Sequence, residues 1–496
     1  MLKNKSTIVI IILSLLWALI SVVGGTVFIR RHYGEVDVYK DAIGKGQQIF
    51  WFIVAVFIAC LLIYLFVSFL VNAIKNDGKE RRIILYSLPF LGVLLSYFFL
   101  MLLKAEYNVT YYEGDEILVW NSATNLYPFF FVYLSEIYII SFLIFPCVVG
   151  PTLVKIIMEA LIMGYIVYRV RKHYKSNGAY LIFLMCMMEP FYTLGVEAHR
   201  MQWYGFIYLF VFSKLFFDII EDNIFEKEDG KKMWLNIAPM IALIALLSVF
   251  RREGMYFYVL GPILIILAYW RTGLKKTAIV IVAVTIAAEI VVNIPVMQNG
   301  MSEKGLALDA LIVHMLGDKT FDEEKAEPEL DVLRNEFDFE KIDKWNQERA
   351  ADSFDSNAFD VPGWADNAYW IHRSDSTVTT EQVYDAFKAI VIKQPLPFIR
   401  SRLVAFLVAG RGEKAWNLYF PLFILMIEFI YSIIHFNKKP FLLFVGIIIH
   451  IGLTTLAMPA SFFKYYFHMW LVTYVFLIVI VLDYIKQDKY LIYNKG

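Results

Sequence analysis

The sequence predicts an all-α polytopic membrane protein with about twelve transmembrane helices and two large extracytoplasmic loops. Three observations lead there. Apolar residues make up 59% of the 496 positions, whereas a soluble domain holds about 45–50%. The excess gathers in runs of about 18 or more residues, enough to cross a hydrocarbon core of roughly 30 Å. Basic clusters recur between those runs, spaced so that alternation puts them on one side of the bilayer.

The elements follow in order. The N-terminal "MLKNKSTIVIIILSLLWALISVVGG" joins a basic start to an apolar run. The run is long for a signal core and no small-x-small cleavage site follows, so it is read as a retained first helix, 7–29. Further spans are expected at 50–75, 83–103, 152–170, 179–196, 203–220, 234–250, 255–270, 277–296, 415–435, 440–457 and 467–484. "KNDGKERR", "RVRKHYK", "RTGLKK", "NKK" and the Lys-bearing C-terminus then share a side with Lys3 and Lys5. Cytoplasmic loops carry the basic excess, which makes both termini cytoplasmic.

That alternation requires 127–149 not to cross. The stretch is apolar and aromatic but carries Pro128, Glu136 and Pro146, and reads as interfacial helices lying in the outer boundary. Four segments result: an N-terminal hairpin 1–82, a core 83–296 with its first outer loop at 105–151, an outer segment 297–398, and C-terminal helices 399–496. The 297–398 segment is polar and too long for a plain connector, so it is expected to be folded or packed.

Composition excludes several classes. With 46 basic and 46 acidic residues and no basic block, nucleic acid is not an expected partner. Cys60, Cys147 and Cys186 all sit in apolar runs without metal-ligand spacing. No internal repeat, Walker motif or calcium-loop spacing occurs, which argues against a nucleotide-driven pump. No cofactor is expected. No visible spacing calls for a metal, although an acidic pair has the chemistry to hold a divalent cation.

Ionisable groups at the outer helix ends are the candidates, because charge near lipid is costly unless paired or hydrated. "YYEGDEILVW" carries Asp115 and Glu116, with no Lys or Arg between Lys104 and Lys155. A carboxylate held just above lipid is partly desolvated and becomes a better base; the ordinary alternative is a solvated loop. "GVEAHRMQWYG" carries His199 and Arg200, which otherwise read as interfacial anchors. "SVFRREGMYF" carries Arg251 and Arg252. Arginine's planar fork suits phosphate oxygens; a structural pair of Arg252 with Glu253 or Asp115 is the rival reading. "PASFFKYYFHMW" carries Lys464 and Tyr465, which suit either phosphate contact or aromatic-belt anchoring. His314 reads as a packed helix residue.

These motifs, in this order, resemble the GT-C superfamily of membrane glycosyltransferases, which use polyprenyl-phosphate-linked sugars. The resemblance covers most of the chain from about residue 83 onward. "GDEILVWNSATNLYPFFF" resembles the acidic Asp-Glu motif of the first outer loop, followed by an aromatic, a small residue and a proline. "RREG" is similar to an Arg-x-Glu-Gly element at an outer helix end. "MPASFFKYY" is similar to a late proline-to-basic-Tyr element, and "KQPLPFIRSRLVAF" to the amphipathic stretch before the last helices. The chain departs from the pattern in its two extra leading helices and in "HYGEVDVYKDA", which offers Glu35 and Asp37 as a competing acidic site.

The resemblance implies sugar transfer from a lipid-linked donor to an envelope glycan, lipid or protein acceptor on the outer face of a bacterial plasma membrane. It implies Asp115 as base, with Glu116 beside it. Arg251, Arg252, Arg200, His199, Lys464 and Tyr465 are implied on the donor phosphate. A lipid-linked glycan transporter or flippase, and a glycan ligase or polymerase, are the other readings. Mid-span charges and broken helices would favour the transporter, and the sequence shows few such charges.

Overall fold

The computed structural model describes residues 45–104, 132–147, 149–197, 201–221, 230–250, 254, 256–269, 275–298, 304–351, 371–412, 414–436, 438–458 and 462–493, together with isolated helical positions within 8–20. Among them there is no β-strand, only two isolated bridges. The chain divides into two units, 1–300 with 423–446 and 468–496, and 301–422 with 447–467.

In the first unit, α1 (Lys45–Lys75) and α2 (Lys79–Leu103) form a hairpin. They are followed by α3 (Val132–Ile144), α4 (Gly150–Tyr174), a 3-10 helix (Asn177–Met187), α5 (Glu189–Val196), α6 (Met201–Ile220), α7 (Gly230–Phe250), α8 (Phe257–Tyr269) and α9 (Lys275–Gln298). α4 is the central strut, packed on α2, α3, α5 and α6. Its Gly164 lets α2 come close: a Cβ there would lie 2.1 Å from Ser87 Oγ and 2.7 Å from the Ile83 carbonyl oxygen. The C-terminal helix α18 (Phe467–Tyr493) buries Trp470, Val472 and Phe476 in this unit, where Phe476 meets Phe216 of α6 at 4.9 Å.

Large apolar side chains remain exposed along the outer faces, among them Phe57, Ile74, Leu85, Leu88, Val259 and Ile290. Such a belt is what lipid covers. Five helices are long and apolar enough to cross a membrane: Phe52–Lys75, Lys79–Leu103, Gln202–Ile220, Pro440–Ala457 and Phe463–Lys486. A sixth span arises if the 3-10 helix and α5 are counted as one. These helices mark the chain as a membrane protein.

Two expectations change in detail. The expected span at 179–196 is broken, with a 69° bend between the 3-10 helix and α5. Pro190 explains the break: Met188 is extended and caps a new helix, and the proline sits in its first turn, where its missing N–H leaves no bond unmade. Within 127–149, α3 has 13 residues and is about 20 Å long, short of a roughly 30 Å core. It is not one-sided as an interfacial helix would be: Glu136 and Tyr138 to Leu143 are buried together, among α1, α4 and α7.

The second unit holds α10 (Lys304–Leu316), α11 (Glu323–Ala326), α12 (Glu329–Glu336), α13 (Phe339–Ala351), α14 (Thr380–Lys393) and α15 (Pro395–Gly410). It has its own core of Ile312, Val313, Leu330, Leu333, Phe337, Val383 and Ile390. A capping box between Thr379 and Gln382 starts α14. The expected folded segment is thus a helical unit with a core. α16 (Tyr419–His435) and α17 (Lys438–Ala457) each run through both units.

Candidate functional site

Asp115, Glu116, His199, Arg200, Arg251 and Arg252 lie outside the described residues, as do Glu35 and Asp37. What the structure describes is the framework that borders several of them in the chain, and it has two parts in the first unit.

The first part is built on α4. Lys155 is 1% exposed, and its Nζ donates to the carbonyl oxygens of Leu194, at 3.2 Å, and Glu197. The last carbonyls of a helix lack intrahelical partners and carry its negative dipole end, so an ammonium there caps α5. The segment it holds leads directly into His199 and Arg200. One turn along α4, Glu159 is fully buried, and neither carboxylate oxygen has a hydrogen-bond partner among the described residues. Lys155 is the charge that faces it. Gly195 makes room, since a Cβ there would come within 3.0 Å of Glu159 Oε2 and 2.7 Å of Leu94 Cδ2.

The second part is aromatic. Tyr204 of α6 lies 6.5 Å from Phe250, the last residue of α7, and 5.7 Å from His468 near the start of α18. His468 also meets Tyr208 at 4.7 Å, and Tyr208 meets Phe257 at 5.8 Å. Gly254 is buried beside Tyr204. A Cβ on it would stand 1.9 Å from the Leu247 carbonyl oxygen and 3.5 Å from Tyr204 Cε2, so no side chain fits. The glycine of "RREG" is therefore required by close approach to α7. In the chain, Phe250 and Gly254 bracket the two arginines, Tyr204 follows Arg200 by four positions, and His468 closes the "FFKYYFH" motif.

Lys464 and Tyr465 belong to the second unit. Lys464 Nζ stands 4.8 Å above the Phe462 ring. Tyr465 is buried, with its ring 6.0 Å from that of Phe462. Trp416 packs on Phe463 at 5.1 Å, and Tyr466 donates to Thr455 Oγ1 at 3.3 Å. Arg402 of α15 is fully buried behind this motif. Its Nη1 donates to the Met458 carbonyl oxygen at 2.8 Å, and its Nη2 to His314 Nδ1. His314 is indeed packed, and it has a polar task there. The Arg402 site was not legible, because an arginine in an amphipathic stretch reads as a solvated face.

A further network ties the second unit together. His372 bonds Asp309 Oδ2 at 3.0 Å and Glu336 Oε1 at 2.6 Å, and the Ser376 hydroxyl donates to the same glutamate. Burial pulls the His372 pKa down, but hydrogen bonds and charge from Asp309 and Glu336 outweigh it and leave the imidazole above its ordinary value.

Glu136, Glu159, Glu289 and Glu428 are buried inside apolar helices, each with at least one carboxylate oxygen lacking a partner among the described residues. Their signal was a lone glutamate inside an apolar run, visible in the sequence but easily passed over. No group of three or more His, Cys, Asp or Glu among the described residues is arranged to hold a metal. The chain matches no family model, and no curated protein or solved structure is similar to it.

Proposed function

We propose that the chain is a membrane glycosyltransferase with about twelve spans, moving a sugar from a polyprenyl-phosphate donor to an envelope acceptor on the extracytoplasmic side. The observation that supports this reading most is the junction of Tyr204, Phe250, Gly254 and His468. It draws together the ends of the helices that border Arg200 and Arg252 in the chain, as a donor-phosphate site built from separate motifs would need.

In this reading Asp115 accepts the proton of an acceptor hydroxyl, with Glu116 beside it. The oxygen attacks the anomeric carbon from the face opposite the phosphate, the glycosidic bond to phosphate breaks, and the carbon inverts. The leaving lipid phosphate gains negative charge. Arg252 and Lys464, with Arg200, Arg251, His199 and Tyr465 as further contacts, neutralise it. The test is turnover of a panel of polyprenyl-phosphate sugars by purified protein in lipid. Asp115→Asn is expected to lower turnover by about 10²–10⁴ while expression is unchanged. Loss with Asp37→Asn instead moves the base to the first loop, and no turnover of any donor counts against the reading.

A specific observation favours the second reading, a lipid-linked glycan transporter. Lys155 and Glu159 are buried inside a helix beside the bent pair formed by the 3-10 helix and α5, and transporters use buried charge at broken helices. Movement of a fluorescent lipid-linked glycan across vesicles without bond cleavage would select it. A ligase or polymerase would be recognised by product length.

A further inference from the structure

A cationic cluster lies in the first unit at the start of α2 and the ends of α4 and α6. Arg169 is buried; its Nη2 is 3.2 Å from Asp218 Oδ1 and 3.6 Å from Glu221 Oε2, and its Nη1 donates to the Tyr165 hydroxyl at 2.6 Å. Lys214 Nζ sits 2.6 Å from the other oxygen of Asp218. Lys172 Nζ reaches Glu221 at 3.7 Å. Both acids of the cluster interior are thus shared between cations.

Lys79 completes the cluster. Its Nζ stands 6.0 Å from the centre of the Tyr165 ring, and the Arg169 Cζ stands 5.7 Å from the same ring. Lys79 has no ion pair among the described residues, and the charges that face it are Arg169, Lys214, Lys172 and its neighbour Glu80. His173, 3.9 Å from Glu221, adds no charge at neutral pH, because burial and then Lys486 push its pKa down to about 4. Among the described residues, Arg169, Lys214, Lys172 and Lys79 therefore face Asp218, Glu221 and Glu80, one positive charge in excess, while Lys486 is balanced by Asp483. Nearby Arg81 pairs with Asp77 and does not add to it.

A surplus charge shared by crowded cations is relieved by an anion. The cluster sits where α2 passes from "KNDGKERR" into its apolar span, which is the level of lipid headgroups. Lys79 is exposed and the Lys172 side chain is 58% exposed, so both are reachable, while Arg169 and Lys214 are held behind them. A phosphodiester carries one negative charge and matches the excess.

We propose that Lys79 and Lys172, backed by Arg169 and Lys214, bind a phosphate group, that of an anionic phospholipid headgroup or free phosphate. This site is independent of the sugar-transfer reading. The test uses the purified, delipidated full chain in detergent, titrated with short-chain phosphatidylglycerol, phosphatidylcholine or inorganic phosphate, with the melting temperature as readout. Phosphatidylglycerol is expected to raise it more than phosphatidylcholine. Lys79→Gln or Lys172→Gln is expected to weaken apparent affinity about fivefold, the loss of one lysine at a headgroup. Lys75→Gln, at the exposed end of α1, is expected to change nothing. A rise with inorganic phosphate and not with phosphatidylglycerol supports the site and assigns it to free phosphate. Equal weakening by Lys75→Gln and Lys79→Gln, or no response to either anion, overturns it.

Discussion

His372 is where pH acts most directly on a described residue. Its folded pKa lies above its unfolded value of about 6.5. The bonds to Asp309 and Glu336 therefore contribute fully below that value and fade as pH rises through the raised one. Amide exchange in α10 and α12 is expected to be faster at pH 8 than at pH 6 after correction for intrinsic rates, and His372→Gln should flatten the difference. The network could not be read from the sequence. Its members lie 63 and 36 positions apart, and only folding gives them common geometry. Lys155 was hidden for another reason, since a lysine in an apolar run looks like an interfacial anchor until its carbonyl partners are known. Replacing it by Met should lower stability by about 1–3 kcal/mol, because the buried carbonyl of Leu194 and the half-buried carbonyl of Glu197 lose this donor. A detergent melt would register the loss.

At the scale of elements, apolar run length carried most of the information. Among the described residues the stretches expected as spans from 50 onward are largely helical, and five helices are long and apolar enough to cross a membrane, where a backbone must satisfy itself internally. The bend at 188 was the exception, and Pro190 was its visible but unused sign. Helix contacts were less legible, since closeness depends on which glycine faces which neighbour. Gly164 and Gly92 separate the cases. Gly164→Ala would press a methyl against Ser87 and the Ile83 carbonyl and should destabilise by about 1–3 kcal/mol. A Cβ at Gly92 meets nothing within 4 Å, so Gly92→Ala should hold or raise the melting temperature through better helix propensity. Equal effects of the two would show that α2 and α4 do not meet closely at Gly164.

At the scale of the whole molecule, the sequence identified a membrane chain with a folded polar insert. It did not show that residues 447–467 belong with that insert, because they lie within apolar stretches. Among the described residues the insert's buried core runs from Leu308 to Ile390, with Phe398 packed against it. A fragment of residues 301–411 is therefore expected to give a helical circular dichroism spectrum and a cooperative melt. A gradual melt would mean that the core needs the later segment.

The packing of α18 into the first unit also sets an order of assembly. Tyr204 and Tyr208 receive His468, and Phe216 receives Phe476, from α18, a helix synthesised well after them. Translation at about 5–20 residues per second leaves a gap of roughly 10–30 s between residue 300 and that helix. Throughout that interval the inserted N-terminal bundle has an open aromatic seam. Biogenesis of this protein therefore includes a late closure step, and a stop codon placed before residue 468 would leave the seam permanently open for quality control to find.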